Sequence, residues 1–600
     1  MSNYLTRTIV SILFVLSVSQ LQARDRWTWE LPKPQGNTIN SIWAHSASDI
    51  FAVGDVGTIL HISASGAVLM KSPTTSDLHD VFGFSASDVF AVGDDGVILH
   101  YDGSSWQQMT SPSPVELFTV WGTGNSKVFA AGRYGTILLY NGSTWVEMTA
   151  PSTMSHIKAL WGTGLNNIWA VGTNGLAFYF NGFGWQDRTV QAGFGSTMSG
   201  LWATPGAVFF AVGSNRIYRY TEGSWIQETD PGIPLASFTD IWGTSTTEVY
   251  VTGYSGVVCR LDGSGWSEMT TGSTQSLYAV GGISGNDIYI AGSFGELMQK
   301  NNTAWTRRTQ GDQYSIHAVW GSSNRDIWAV SGNGVILHST GNGNWDVNET
   351  LPSTFLSDVW GLGPAMIWAV GWGLSGASVY QYTGSGWSSD HPANVSDVQL
   401  KGVWASSANN VYAAGYHYAG GSSPKTARIY RKTASGWSLV KSVPDRMYFG
   451  LWGFAANDIY AVGSSGLVSH YNGSSWTDTT IANAGYLYAA WGPDPDNIWV
   501  VGNSGAWQNQ GSGWQLISDQ FGFYLYDVYG TSANDLFMGG NSPEVIHWNT
   551  QSRSLYSPLA RVSGIWAASR SQYWFVSSFG GIVRLTRNPP IAPVLNILMN

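Results

Sequence analysis

The chain repeats one phrase. Its clearest copy, Leu78 to Met109, reads LHDVFGF, SASDVFAVGD, DGVILHYD and GSSWQQM, four short apolar runs rich in β-branched and aromatic residues. Ser/Asp, Gly/Asp and Gly/Ser clusters separate the runs, as turns separate the strands of a four-stranded antiparallel meander of about forty residues. Near-copies continue to the end of the chain. Repetition at that period predicts an all-β protein, a β-propeller in which each copy is one blade.

Anchoring on the aromatic that ends the first strand gives Trp43, Phe82, Trp121, Trp161, Trp202, Trp242, then Gly281 in place of an aromatic. Trp320, Trp360, Trp404, Trp452, Trp491, Tyr529 and Trp566 follow, which makes fourteen copies. Most intervals are 37 to 41 residues, but those ending at Trp404 and Trp452 are 44 and 48, with insertions between the second and third strands. Propellers usually have about four to eight blades, so two seven-bladed rings in tandem are expected. The divisions are residues 24–300 and 301–588, with a tail at 589–600. Trp27-Thr-Trp29-Glu-Leu-Pro resembles a fourth strand, whereas the last copy stops after its third at Gly581-Ile-Val-Arg-Leu. The expected closure has the N-terminal strand completing the seventh blade and the strand at Trp305 completing the fourteenth, so that no sheet edge is left open.

Composition agrees with many short strands. The 600 residues include 73 Gly and 32 Trp, and only 11% are charged against about a quarter in a typical domain. A net charge of -10 without a clustered basic face argues against nucleic acid as a partner. Residues 1–23 read as a signal peptide: Arg7, an apolar run from Ile9 to Val18, and the end Leu21-Gln22-Ala23. No later apolar run is long enough for a membrane span, and a secreted or periplasmic location is expected. The lone Cys259 takes a strand position held by leucine in other copies, and reads as inert packing.

The form WG-x-S-x-x-D-V-x-AVG-x-x-G-x-I-x-HY-x-G-x-x-W, as in Leu451 to Trp476, resembles the repeats of exported bacterial propeller proteins. These are loosely grouped with sialidase-type Asp-box propellers and with photosystem II assembly-factor-like propellers. The resemblance covers nearly the whole mature chain at the level of the repeat. Asp102-Gly-Ser-Ser-Trp106 is similar to an Asp box but is one residue short and lacks the upstream Ser/Thr. The sialidase arginine triad and Tyr/Glu pair have no matched positions, so that activity does not carry over. The resemblance implies binding or assembly, and fold alone decides no function.

Three groups of residues could carry chemistry. In the first, an Asp opens the second strand and a His follows twelve residues later: Asp49/His61, Asp88/His100, Asp326/His338, Asp458/His470 and Asp535/His547, with Asp287 facing Gln299. Five scattered pairs make poor geometry for one active site, and a charge-assisted hydrogen bond across a hairpin is the expected role. In the second, Asp80, Asp240, Asp358 and Asp527 stand two residues before the anchor, nearest the axis. They would bond turn amides or hold an unassigned structural cation. In the third, loops between second and third strands depart from template at Arg133-Tyr134, Tyr254, Phe294, Trp372, Phe579 and, at greatest length, Tyr416 to Lys425. Binding residues concentrate on loops of rigid scaffolds. Adjacent blades nine and ten bring Trp372 beside Tyr416, His417 and Tyr418, a set suited to stacking on sugar rings. Asp494-Pro-Asp496-Asn497 reads as a capped turn.

No GxxxxGK[ST], HExxH, GxSxG or CxxC motif is present, and no cofactor is expected. The function expected is recognition of glycan or of an envelope or extracellular protein through propeller-face loops. A carbohydrate-active hydrolase or lyase on a double propeller, and an assembly scaffold without a small ligand, are the alternatives.

Overall fold

The computed structural model describes residues 25–587, except 153, 205–208, 303, 310–313, 375, 394, 419, 421–423, 519–520, 550–552 and 557–558. The expected signal peptide and the tail lie outside the described residues. Each copy of the phrase is one four-stranded sheet, fourteen in all, and in thirteen the strands neighbour one another in chain order. The inner strand of blade one, Ile39–Ser46, packs on that of blade seven, Leu277–Ser284. That of blade eight, Ile316–Ser323, packs on that of blade fourteen, Gly564–Ser569. The strands therefore close into two seven-bladed rings. By contact the chain divides into Leu31–Gln313 with Phe579–Gly581, and a second unit holding the remainder.

The repeated residues are explained by the packing. Second strands such as Asp88–Gly93 are buried from the second residue onward, because sheets cover both their faces, and so they read as unbroken apolar runs rather than alternating ones. A glycine follows the anchor in ten copies, and in most of these it makes room for the preceding blade's tryptophan. A Cβ on Gly83 would stand 2.7 Å from the Trp43 ring, and one on Gly361 would stand 2.5 Å from Trp320. Gly96, in the turn after the second strand, has φ +69° and passes so close to Ser113 that a Cβ would lie 2.0 Å from its carbonyl oxygen.

Ring closure corrects the expectation. The strand Arg26–Leu31 pairs with the third strand of blade fourteen, Gly581–Thr586, and not with blade seven. Blade seven is completed by its own Ala304–Arg307, the strand of Trp305, where Asn301 pairs with Ala304. A strand two residues downstream is joined at small entropic cost, so the local hairpin wins. Among the described residues, only blade fourteen lacks a fourth strand of its own. The borrowed strand is secured by Glu30, 2% exposed, whose Oε2 accepts from Trp345 Nε1 and Trp574 Nε1 at 3.0 Å. Arg584 Nε lies 3.0 Å from its Oε1.

The Asp–His pairs are cross-strand hydrogen bonds. Nε2 of His100, His338, His470 and His547 lies 2.7–2.8 Å from the partner Asp Oδ1. His61 is looser at 3.4 Å from Asp49, and Gln299 donates to Asp287 at 2.6 Å. Each ring also lies against the aromatic of the neighbouring second strand, as His470 does on Tyr460 at 4.2 Å. Glu248 and Arg260 fill the same two positions in blade six, 3.4 Å apart. The pair ties the second strand to the third, whichever donor carries it. Cys259 is buried and its thiol is pushed up to about 12 by burial, in line with inert packing.

Candidate functional site

Every inner strand narrows toward the ring axis, and a bulge decides what it shows there. In twelve of the fourteen blades the register slips at the residue three before the anchor. The extra residue re-aims its side chain, and both it and the next residue line the channel. In the second ring this position holds His317, Lys401, Phe449, Tyr488 and Tyr526, with Ser357 and Ser563 in the other two blades.

Blades nine and ten rise above this rim. Their second and third strands are longer than the six-residue strand of blade two: Met366–Gly373 with Gly376–Tyr382, and Asn410–His417 with Thr426–Thr433. Trp372, Tyr416 and His417, expected on loops, are therefore paired strand residues, opposite Ala377, Ala427 and Thr426. The insertions lengthen both arms of each hairpin equally, so the ladder continues instead of opening. Tyr418 follows the strand; Ala419 and residues 421–423 of the excursion lie outside the described residues.

Trp372 and Tyr416 meet at Lys401. Its Nζ stands 3.6 Å from the Trp372 ring centre and 5.8 Å from those of Tyr416 and Phe355. Phe355 stacks on Trp372 at 4.0 Å and 21°. Lys425 Nζ lies 5.5 Å from Tyr416 and 5.4 Å from Tyr418. Trp372 and Tyr418 also share a 360 Å³ depression between the two blades. His417, next in the strand after Tyr416, is sent to the opposite sheet face by strand alternation.

From there the contacts run on around the ring. Tyr416 meets Phe449 at 6.4 Å, Phe449 meets Tyr488 at 5.5 Å, and Tyr488 meets Tyr526 at 5.2 Å. Arg561 lies over Tyr526 at 4.6 Å and donates to its hydroxyl at 2.6 Å. At the other end of this run, His317 lies against Phe355 at 4.7 Å. The rim surrounds a 170 Å³ cavity at the axis.

The charged side chains of the rim column and the hairpin above it are basic. Lys401 has no hydrogen bond or ion pair among the described residues, and burial followed by the nearby Lys425 lowers its ammonium to about 8. His317 is lowered to about 4 by burial, then by Lys401 and Arg561, and is neutral at pH 7.

The axial aspartates are fixed by strand amides, not turn amides. Asp358 accepts from its own blade's Val359 N–H and the next blade's Val403 N–H, at 2.8 and 2.9 Å. Asp527 does the same with Val528 and Ile565, and Asp240 with Ile241 and Val280. Asp80 joins Val81 to Val120. Each carboxyl staples two neighbouring blades, and its two oxygens are engaged by amides instead of facing a cation. Burial raises Asp240, Asp358 and Asp527 to about 7.

The first ring carries a different rim at the same position: Asn40, His79, Phe118, Lys158, Ser199, Thr239 and Tyr278. His79 Nε2 lies 2.7 Å from Asp94, and Arg133 pairs with Glu116 at 2.6 Å. His79, Asp94 and Glu116 bring ligand-type atoms within 4.8 Å of one another. Arg133 and Lys158 already offset the acids that a cation would use there. Of the other departures from template, Tyr134, Tyr254 and Phe579 are about half exposed. Asp494 Oδ1 caps its turn through Asp496 N–H and Asn497 Nδ2.

Lys401, Phe449, Tyr488 and Tyr526 escape a search for unusual loops because they sit in inner strands. The signal that finds them is the column three residues before each anchor.

No protein-family model matches the chain, and no curated protein matches its sequence. Among solved structures, the GH74 enzyme of Niastella koreensis is similar to it at 12% identity and a TM-score of 0.61, over 93% of this chain and 98% of that one. A structure of YCF48 bound to D1 peptide is similar at 16% identity and a TM-score of 0.39, over 46% of this chain and 96% of that one. The first likeness extends to the fold of nearly the whole chain: a β-propeller protein with no membrane-crossing helix among its described residues.

Proposed function

We propose that the chain is an exported, non-enzymatic recognition protein, secreted or periplasmic, that binds glycan at the rim and raised hairpins of the second ring. The observation that carries this reading is the run of aromatic rings along the rim: Phe355 stacked on Trp372, Lys401 bridging Trp372 to Tyr416, and then Tyr416, Phe449, Tyr488 and Tyr526 in succession. Aromatic faces and edges bearing hydroxyls are suited to the apolar faces and hydroxyls of sugars. Tyr486 and Tyr524, 41% and 45% exposed, extend the surface outward.

A hydrolase on this scaffold would need carboxyls particular to the site. The carboxyls that line the axial cavity, Asp358 and Asp527, have counterparts in Asp240 and Asp80 with equivalent amide partners, which marks them as parts of the fold. An envelope or extracellular protein is the other partner class for such a surface.

The test is a glycan array probed with the wild type and with Trp372→Ala. The wild type is expected to retain a defined set of glycans and the variant to lose them. A wild type that retains none overturns the reading.

A further inference from the structure

We propose that the glycan taken by the second ring is anionic, a sugar bearing a carboxylate, with its negative group seated on Lys401; this rests on the reading of the rim as a glycan site.

A cation even partly withdrawn from water, as Lys401 is, commonly has an anion or carbonyl beside it, because desolvation is costly without one. Lys401 has neither among the described residues: its neighbours are the faces of Trp372, Phe355 and Tyr416. Ring faces attract an ammonium, but they do not neutralise its charge. Lys425 stands on the far side of Tyr416 and makes the local potential more positive. Across the mouth, Arg561 is held to the Tyr526 hydroxyl and adds a second fixed positive charge. The arrangement is charge-complementary to one negative group at Lys401 on the rim, with the flat apolar faces of Trp372 and Tyr416 for the ring that carries it.

Sulfated sugars and acidic peptides share part of this chemistry. The observations favour a carboxylated sugar because Lys401 and Lys425 lie against aromatic faces, not within a row of cations spaced along an extended chain. Bound to such an anion, Lys401 would be held charged. In the free chain it loses its proton as pH rises through about 8, so affinity should fall over that range.

The experiment titrates the full chain at pH 7 with short oligomers of galacturonate, glucuronate and mannuronate, each paired with its neutral methyl ester. A sulfated oligosaccharide and an aspartate-rich peptide are run beside them. One acid oligomer is expected to bind at least about tenfold tighter than its ester, the size of one charge-assisted hydrogen bond. Lys401→Met should erase that preference without lowering the melting temperature, and Lys401→Arg should keep it. Binding of the acid form should weaken between pH 7 and 9.5 while binding of the ester does not. Acid and ester binding equally, or the sulfated sugar alone binding, overturns the carboxylate proposal and leaves the glycan site standing. Binding of the peptide with no sugar bound, or of nothing, overturns both.

Discussion

Lys158 and Lys401 hold the same position in their blades, three residues before Trp161 and Trp404, and both lie over a neighbouring ring, Phe118 at 3.2 Å and Trp372 at 3.6 Å. Their surroundings differ in sign. Glu116 and Asp94 oppose the effect of burial on Lys158, whereas Lys401 has only Lys425 near enough to matter, and it repels. The rings share blade, anchor and axial staple, so this difference is not required by the fold. It comes from the rim column and the hairpins above it, the parts of a propeller free to vary without unpacking a blade. A second contrast lies in closure: the first ring is built from consecutive strands, while the second borrows Arg26–Leu31.

Closure should give the largest effect. Deleting residues 26–31 exposes the third strand of blade fourteen and strands Arg584, so the second ring should lose about 4 kcal/mol or more. Calorimetry should then show the second ring's transition lowered or absent and the first ring's unchanged. Both transitions falling together would mean that the rings do not melt as separate units.

Next in size are the staples, where the rings should behave alike. Asp240→Ala and Asp358→Ala each remove a carboxyl that engages two amides, at a cost of about 2 kcal/mol apiece. The folded value of about 7 lies above the ordinary 3.8 of an unfolded aspartate. The stability it confers is full below pH 3.8 and lost as pH rises through 7, so denaturant melts should show the cost shrinking from about pH 4 to about pH 7 and level above that. A cost confined to one ring would break the equivalence.

The smallest effect separates the two lysines. Lys401→Met should stabilise the second ring by about 0.5–1 kcal/mol at pH 7, since it removes an unpaired cation. The folded value near 8 lies below the ordinary 10.5, so wild-type stability should recover as pH rises from 8 to 10.5 and the gain should fade. Lys158→Met, which strips Glu116 and Asp94 of a nearby cation, should give no such gain. Equal gains from both would mean that burial, not the sign of the surroundings, dominates.

The fold was legible because the anchor Trp, the following Gly and the apolar second strands answer to contacts inside and between blades, and the blade recurs fourteen times. The Asp–His pairs were legible for the same reason. Closure was not, since Trp27-Thr-Trp29 fits any blade short of a strand; the choice turns on Asn301 meeting Ala304 across a tight hairpin. Trp372 and Tyr416 stood out as departures from template, but Lys401, which joins them, did not. A lysine in an inner strand looks like an error in an apolar run until the bulge that turns it toward the axis is seen. The run of contacts from blade to blade along the rim depends on ring geometry that no local spacing encodes.

The borrowed strand also sets an order of events in the making of the molecule. Arg26–Leu31 is synthesised first, and its partner Gly581–Thr586 follows roughly 550 residues later. At about 5–20 residues per second, half a minute to two minutes passes between them. The first ring has all its strands by Arg307 and can close while the second is still being translated. Throughout that interval the strand must stay off the open edge of every passing blade, with its Glu30 still in water. The second ring is thus sealed only in chains translated through the fourteenth blade, and a truncated chain leaves its ring edge open.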